Sequence, residues 1–142
     1  VACMSACQNS SLDMLMYYDA RPCTFNGLFD FYTLRPLKGY YPFYYFANLY
    51  DLENQVRTVC DDSDIRITAA QKDGHVGVMI SYFAESDDAE NKKLSLMLDC
   101  SGVFKCYTVN GDVTNEESEI NITADIPLEL MVKPQSVLFL AQ

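Results

Sequence analysis

A near-continuous apolar run, Leu12-Asp13-Met14-Leu15-Met16-Tyr17-Tyr18, limits the folds open to this chain more than any other feature. Such a run is typical of a parallel strand that is covered on both faces. A parallel strand needs parallel neighbours joined by crossover connections, and the rest of the sequence shows no strand–helix alternation that would supply them. We therefore expect the first third of the chain to be part of something larger.

A loop rich in aromatic side chains follows this run, and a helical pattern follows the loop. Pro22 ends regular pairing, because proline lacks the N–H that a ladder needs. The periodicity predicts a helix from near Leu37 or Lys38 to near Arg57, in which Pro42 is tolerated close to the first turn. Two apolar stripes run side by side along this helix, so we expect it to have two neighbours. The stripes are Tyr41, Tyr45, Leu49, Leu52 and Val56, and Phe43, Phe46, Ala47 and Tyr50.

From about Val59 to Gln142, short alternating segments are separated by turn signals. Asp73-Gly74 between two apolar runs is a hairpin signal. About seven strands with no helix between them predict an antiparallel β-sandwich. We expect strands at residues 65–69, 75–82, 94–98, 103–109, 120–123, 128–132 and 137–140. The predicted fold class is mainly β, a sandwich preceded by one strand and one long aromatic helix, divided into residues 1–58 and 59–142.

Charge and length exclude several classes of function. The chain has ten basic and twenty acidic residues, which gives a formal net charge of −10. A phosphate backbone would be repelled, so nucleic acid is not an expected partner. No apolar run approaches the roughly 20 residues that a membrane span requires. The chain is long enough for one core but short for two domains of usual size, and because Val1 is not an initiator methionine we expect it to be processed or cut from a longer protein.

The six cysteines and the single histidine predict neither a disulfide framework nor a metal site. The chain has enough apolar residues to form a core without disulfides. Cys100 and Cys106, which flank a predicted turn at Gly102, are the pair best able to bridge. No C-x-x-C pair occurs, so no zinc or other cofactor is expected. His75 lies early in a hairpin strand, where exposure to solvent explains it better than catalysis does.

The candidate ligand contacts lie between Tyr17 and Asp30. Sugars stack their C–H faces on aromatic rings, while their hydroxyls bond to Asn, Asp and Arg side chains. Alternatively, these rings fill a gap between two domains, and the carboxylates cap turns. Asp19 and Asp30 are also the only carboxylates in a context suited to glycoside hydrolysis, which needs two facing carboxyl groups, but a structural role is the better expectation for each. The expected substrate-binding residues are Tyr18, Asp19, Phe25, Asn26 and Asp30, with Tyr17, Arg21 and Phe29 beside them.

Three segments resemble a known enzyme architecture. Residues 12–22, the stretch Phe25-Asn26-Gly27-Leu28-Phe29-Asp30 and the stretch Pro36-Leu37-Lys38-Gly39-Tyr40-Tyr41 look like the last strand and helix of a (β/α)8 glycoside hydrolase. The likeness is to retaining enzymes of the β-xylosidase and α-L-iduronidase type, in which a β-sandwich follows the barrel. Residues 128–140 are similar to the final strands of such sandwiches.

This resemblance implies that the chain carries no catalytic residue of its own. In this clan the acid/base carboxylate follows the fourth barrel strand and the nucleophile follows the seventh, and both would lie upstream of Val1. What the resemblance carries over is the sugar-binding rim, which here means Tyr18, Asp19 and the loop from Phe25 to Asp30. The family often has tryptophan near this rim, whereas this chain has none.

Two functional hypotheses follow from the sequence. In the first, the chain is the C-terminal part of a glycoside hydrolase, contacts carbohydrate through the parent enzyme and is inactive alone. In the second, it is a free-standing β-sandwich that binds carbohydrate or protein, with the strand and helix folded onto it. The unpaired strand or the aromatic helix could also join two copies, so we expect a homo-oligomer through residues 12–18 or the helix.

Overall fold

The structure, a computed structural model, describes residues 1–8, 10–21, 27–86 and 88–142. Within them, two helices precede eight strands that form two antiparallel sheets, so the predicted mainly β fold class is confirmed. The helices are α1 (Ala2–Cys7) and α2 (Tyr40–Asp51). The strands are β1 (Asn54–Val56), β2 (Ile65–Lys72), β3 (His75–Tyr82), β4 (Lys92–Leu96), β5 (Gly102–Val109), β6 (Thr114–Ile122), β7 (Leu128–Val132) and β8 (Ser136–Ala141).

The two sheets differ in size. The larger one has the strand order β1-β2-β3-β8-β5-β6, and the smaller one pairs β4 with β7. The β2–β3 hairpin has a two-residue turn in which Asp73 and Gly74 have φ of 50° and 85°. Positive φ at both positions is the type I′ pattern that suits the twist of paired strands, and it sets the register Lys72↔His75. The hairpin predicted at Asp73-Gly74 is therefore confirmed.

The main core lies between the two sheets. Along β8, Leu138 and Leu140 face the smaller sheet, whereas Phe139 faces the opposite side, as a two-residue period requires. Phe104, Ile80 and Leu140 are completely or almost completely buried in this core. Both faces of the larger sheet therefore carry apolar residues, and the second face needs a cover of its own.

Helix α2 covers that second face. Its Tyr45 and Leu49 are 1% and 4% exposed and pack against a cluster that includes Met79 and Phe139. The Tyr45 and Phe139 rings stack with centroids 5.0 Å apart and an interplanar angle of 14°. Gly77 of β3 allows this close approach, because a Cβ there would lie 2.9 Å from Leu49 Cδ2. The helix is thus packed on the sandwich along one of its stripes.

In the first 58 residues, two predicted elements differ from the observed ones. Residues 12–18 form no ladder with any described residue, and all of them are exposed. Their apolar sequence suits a strand, but a strand becomes regular only when a neighbour pairs with it. Helix α2 ends at Asp51 instead of near Arg57, because Glu53 adopts φ 63° and the chain turns into β1, which pairs with β2.

The pair Cys100 and Cys106 does not form a disulfide; both thiols are free. The prediction placed a turn between them, but β5 is extended from Gly102 onward. Four residues of strand already span about 13 Å, beyond the Cα separation of about 7 Å that a disulfide can bridge. Cys106 instead packs in the core, where burial raises the pKa of its thiol.

Candidate functional site

A short hairpin-like loop positions the aromatic residues that precede α2. The carbonyl of Ala20 accepts hydrogen bonds from the Leu28 and Phe29 N–H groups, at 2.9 and 3.0 Å. Phe29 forms an isolated bridge with Pro36, and the Leu37 N–H donates to the Leu28 carbonyl at 2.8 Å. Residues 27–37 therefore lead directly into the first turn of the helix with a defined backbone.

Asp30 organises the tip of this loop. Its Oδ1 accepts bonds from the Thr33 N–H at 2.7 Å, the Thr33 hydroxyl at 2.7 Å and the Tyr32 N–H at 3.1 Å. The backbone hydrogen bond from Thr33, followed by the Thr33 hydroxyl bond, lowers the pKa of Asp30. This is the usual Asx-turn use of an aspartate. Because Oδ1 accepts these bonds from its own loop, Asp30 acts as a turn-forming residue.

Two rings from different segments converge on the first turn of α2. Tyr17 lies against Phe43 with centroids 5.3 Å apart, and Phe29 lies against Tyr40 with centroids 5.2 Å apart. Tyr40 and Phe43 are three residues apart and share one helix face. The segment before the loop and the loop itself are thereby brought to the same end of the helix.

The remaining predicted site residues are only partly placed by these contacts. Tyr18 follows Tyr17 and is 95% exposed. Asp19 is half-buried and precedes Ala20, whose carbonyl accepts the hydrogen bonds from Leu28 and Phe29. Phe25 and Asn26 lie outside the described residues. The structure thus brings Tyr18, Asp19 and Asp30 to one end of α2, in a surface that can offer stacking and hydrogen bonds.

Two exposed rings around this surface were not among the predicted substrate-binding residues. Tyr32 is 88% exposed at the loop tip, and Tyr44 is 51% exposed on α2. Tyr44 stacks on Tyr40 with centroids 6.0 Å apart and an interplanar angle of 17°. Their four-residue spacing is the signal that could have identified this exposed stripe. We call the group of Tyr17, Tyr18, Phe29, Tyr32, Tyr40 and Tyr44 the aromatic end of the molecule.

Helix α2 is held to the sandwich next to the aromatic end. The Lys38 ammonium donates to the carbonyls of Asn110 and Gly111, at 2.8 and 2.5 Å, in the turn between β5 and β6. The Tyr45 hydroxyl donates to Asn115 Oδ1 in β6. Burial, more than the neighbouring tyrosines, raises the pKa of Tyr45 and keeps this hydroxyl protonated as a donor. The position of the aromatic end is therefore set by the sandwich.

A concave region lies between the two sheets. It is a cleft of about 690 Å³ whose floor includes Ile67, Val76 and Val78 of the larger sheet and whose rim includes Asp61, Asp99 and Asp125. Its lining contains no aromatic ring among the described residues. The cleft exists because a two-stranded sheet cannot cover the whole inner face of a six-stranded one.

The part of the chain that the structure describes contains no group of three or more His, Cys, Asp or Glu side chains arranged to hold a metal ion. Its helices are also too short to cross a bilayer. His75 is exposed, with Nδ1 3.4 Å from the Gln142 carbonyl.

Comparison with solved structures identifies the fold. The chain is similar to the glycoside hydrolase family 30 subfamily 8 xylanase Xyn30A from Clostridium acetobutylicum, with a TM-score of 0.63 and 17% identity over 84% of this chain and 31% of the xylanase. It is also similar to the GH30 endoxylanase from Clostridium papyrosolvens C71, with a TM-score of 0.51 and 10% identity over 61% of this chain and 22% of that enzyme. No protein-family model and no curated protein matches the chain. The chain has a fold found in part of these glycoside hydrolases and spans less than a third of their length.

Proposed function

We propose that this chain is the C-terminal region of a glycoside hydrolase and is not catalytic alone. Residues 1–58 complete the rim of a catalytic (β/α)8 barrel, and residues 59–142 are an accessory β-sandwich packed against it. Carbohydrate is contacted through the parent enzyme, by Tyr18, Asp19, Asp30 and, in the loop outside the described residues, Phe25 and Asn26.

The observation that carries this proposal is the exposed apolar segment of residues 12–18, which pairs with no strand among the described residues. Met14, Met16 and Tyr18 are 71%, 79% and 95% exposed. Soluble proteins rarely leave a contiguous apolar surface of this kind without a partner. A neighbouring strand of a barrel would pair with the backbone of this segment and bury these side chains together. The fold shared with part of two GH30 enzymes supports the same assignment.

The aromatic end supports a position at a barrel rim. Active sites of (β/α)8 enzymes lie at the carboxyl ends of the strands, where the following loops gather. Tyr18 ends the predicted strand and Asp19 follows it directly, and the segment that leads to Asp30 is hydrogen-bonded to Ala20 through Leu28 and Phe29. Exposed rings with a nearby carboxylate are suited to stacking and hydrogen bonding with a sugar.

The test compares the native gene product with the 142-residue chain. Intact mass gives the length of the native product, and both proteins are assayed for hydrolysis of xylan and aryl glycosides. We expect a longer native product that cleaves a glycoside and a 142-residue chain that does not. A native product of this same length that binds sugars without cleaving them would overturn the proposal.

One observation favours the second candidate, a free-standing module that binds carbohydrate or protein. Helix α2 is already packed on the larger sheet through Tyr45 and Leu49, so this helix does not need a barrel to bury that face. The two candidates differ in what covers residues 12–18. Amide hydrogen exchange of the native product distinguishes them, because a barrel strand would protect these amides and a free-standing module would leave them exposed.

A further inference from the structure

A cleft lies at the end of α2 opposite to the aromatic end. It has a volume of about 420 Å³ and lies between the last turn of the helix, β1 and β2. Tyr50, at its edge, is ten residues beyond Tyr40, which is about 15 Å along a helix. The cleft is therefore separate from the surface that the proposed function uses.

Tyr50 offers this cleft a flat, accessible ring. Its side chain is 79% exposed, although the helix around it is firmly anchored by buried Leu49. The Tyr50 carbonyl accepts a hydrogen bond from the Glu53 N–H at 3.0 Å, which closes the end of the helix. The backbone that carries the ring is therefore fixed, so only the Tyr50 side chain would have to become ordered when a ligand stacks on it.

Polar residues from several elements line the same cleft. The lining includes Asp51 at the end of α2, Glu53 and Gln55 after the helix, Gln8 after α1, and Thr68 from β2. Thr68 is 8% exposed and its hydroxyl is hydrogen-bonded to Ser5 Oγ at 2.9 Å. Lys72 lies 2.7 Å from Glu53 Oε1 and balances the charge of that carboxylate. The cleft therefore combines amide and carboxylate groups with an aromatic face, and one of its two acidic side chains is already paired.

We propose that this cleft is a second carbohydrate site, in which a neutral sugar unit stacks on Tyr50 and its hydroxyls bond to Asp51, Gln55 and Gln8. The aromatic ring, the amide and carboxylate side chains of the lining, and a volume within the range of about 300–1,000 Å³ typical of ligand sites all match such a unit. The larger cleft between the sheets lacks an aromatic lining and is less suited to a sugar. The choice of a sugar as the ligand rests on the proposed function, in which this chain is part of a glycoside hydrolase.

The test measures binding of xylohexaose and cellohexaose to the 142-residue chain by calorimetry and by chemical-shift changes. We expect saturable binding of at least one of them, and we expect Tyr50→Ala to weaken it about ten-fold or more through loss of the ring. Tyr50→Phe keeps the ring and should stay within about two-fold of the parent. Because the side chain is exposed, thermal unfolding should show that all variants remain folded.

Tyr18→Ala separates this site from the aromatic end. Binding that is lost in Tyr18→Ala and unchanged in Tyr50→Ala would overturn the inference. A chain that binds neither xylohexaose nor cellohexaose would also overturn it. Binding that is lost at 0.5 M NaCl would also overturn it, because a neutral sugar makes no ion pair for salt to screen. Hydrolysis by the native product is measured separately, so a non-cleaving native product would reject the proposed function while Tyr50-dependent binding upheld this site.

Discussion

At the residue scale, Tyr45 shows how one side chain links the helix to the sandwich. It is 1% exposed, its ring stacks on Phe139, and its hydroxyl donates to Asn115. The helix stripe predicted that this residue is buried. The hydrogen bond across to β6 was not predictable, because its partner is 70 residues away. Tyr45 therefore contributes both apolar area and a polar contact that fixes the helix position.

We predict that Tyr45→Phe lowers the free energy of unfolding by about 1 kcal/mol, the typical net value of one hydrogen bond. The ring stays in place, so the packing against Phe139 is retained. Urea unfolding followed by circular dichroism measures the change. Tyr50→Phe is the matched control and should change stability by less than about 0.5 kcal/mol, since that ring is exposed. Equal losses in both variants would contradict the role given to the Tyr45 hydroxyl.

At the element scale, the contact between α2 and β3 depends on a missing side chain. A Cβ at Gly77 would lie 2.9 Å from Leu49 Cδ2 and 2.9 Å from Leu52 Cδ1. Since both leucine ends belong to the stripe that packs on the sheet, the helix would have to move away or its side chains would have to change rotamer. Glycine is thus required at position 77 because the helix side chains approach the strand closely, and not because of the backbone conformation there.

We predict that Gly77→Ala costs about 1–3 kcal/mol of stability, as insertion of a methyl group into packed cores does. Gly111→Ala is the control, because a Cβ there meets nothing within 4 Å. The control should be neutral or slightly stabilising, through reduced entropy of the unfolded chain. Chemical unfolding of both variants measures the difference. A Gly77→Ala variant as stable as the control would show that the helix is not seated on β3 as described.

A second contact between elements involves β4 and the segment before β2. The Lys92 ammonium lies 2.7 Å from Asp62 and 2.8 Å from Asp64, and 4.9 Å from the centre of the Tyr82 ring. The Lys92 hydrogen bond lowers the pKa of Asp62 below its ordinary value of 3.8. A carboxylate with a lowered pKa stabilises the fold at neutral pH, and this contribution is lost as the pH falls below 3.8.

We predict that Lys92→Met is less stable than the parent at neutral pH and that the difference disappears in acid, once Asp62 is protonated in both. Lys93→Met on the same strand is the control. Its partner Glu129 is 3.1 Å away, and both side chains are largely exposed, so its effect should be smaller at every pH. Urea midpoints measured across the acid range give the result. A Lys92→Met deficit that persists unchanged in acid would contradict the ion-pair explanation.

At the scale of the whole molecule, the apolar surface is unevenly distributed. Residues 12–18 are exposed throughout, whereas the sandwich exposes isolated apolar side chains such as Met97 and Met131. Isolated exposed side chains are ordinary, but a contiguous run is typical of an interaction surface. We therefore expect this segment to control association of the molecule in solution, either with a barrel or with a second copy of the chain.

We predict that the 142-residue chain self-associates as its concentration rises and that Met14→Glu with Met16→Glu reduces this association. The matched control is Met97→Glu with Met131→Glu, whose side chains are 65% and 64% exposed on the sandwich. Stability should change little in either pair, because all four side chains are exposed. Sedimentation velocity over a concentration series measures association. Equal effects of both pairs, or a parent that is monomeric throughout, would contradict a role for residues 12–18.

Much of the candidate site could be read from the sequence because it depends on short-range features. The aromatic loop was recognisable from its composition, and a turn-forming role for Asp30 follows from the habit of aspartate to bond backbone N–H groups two or three residues ahead. The convergence of Tyr17 and Phe29 on one turn of α2 could not be predicted, because these two residues are separated in the sequence and meet only in the tertiary structure. The Tyr50 cleft was equally hidden, because its lining comes from four elements.

By itself, the sequence determined the alternating strands and the Asp73-Gly74 hairpin, because side-chain period and turn conformation are local properties. Tertiary structure decided which sheet each strand joined, where α2 ended, and that β1 would add an edge strand to β2. It also decided that residues 12–18 would pair with no strand in the part of the chain that the structure describes, since an apolar run can favour extension but cannot supply the neighbour whose backbone completes its hydrogen bonds.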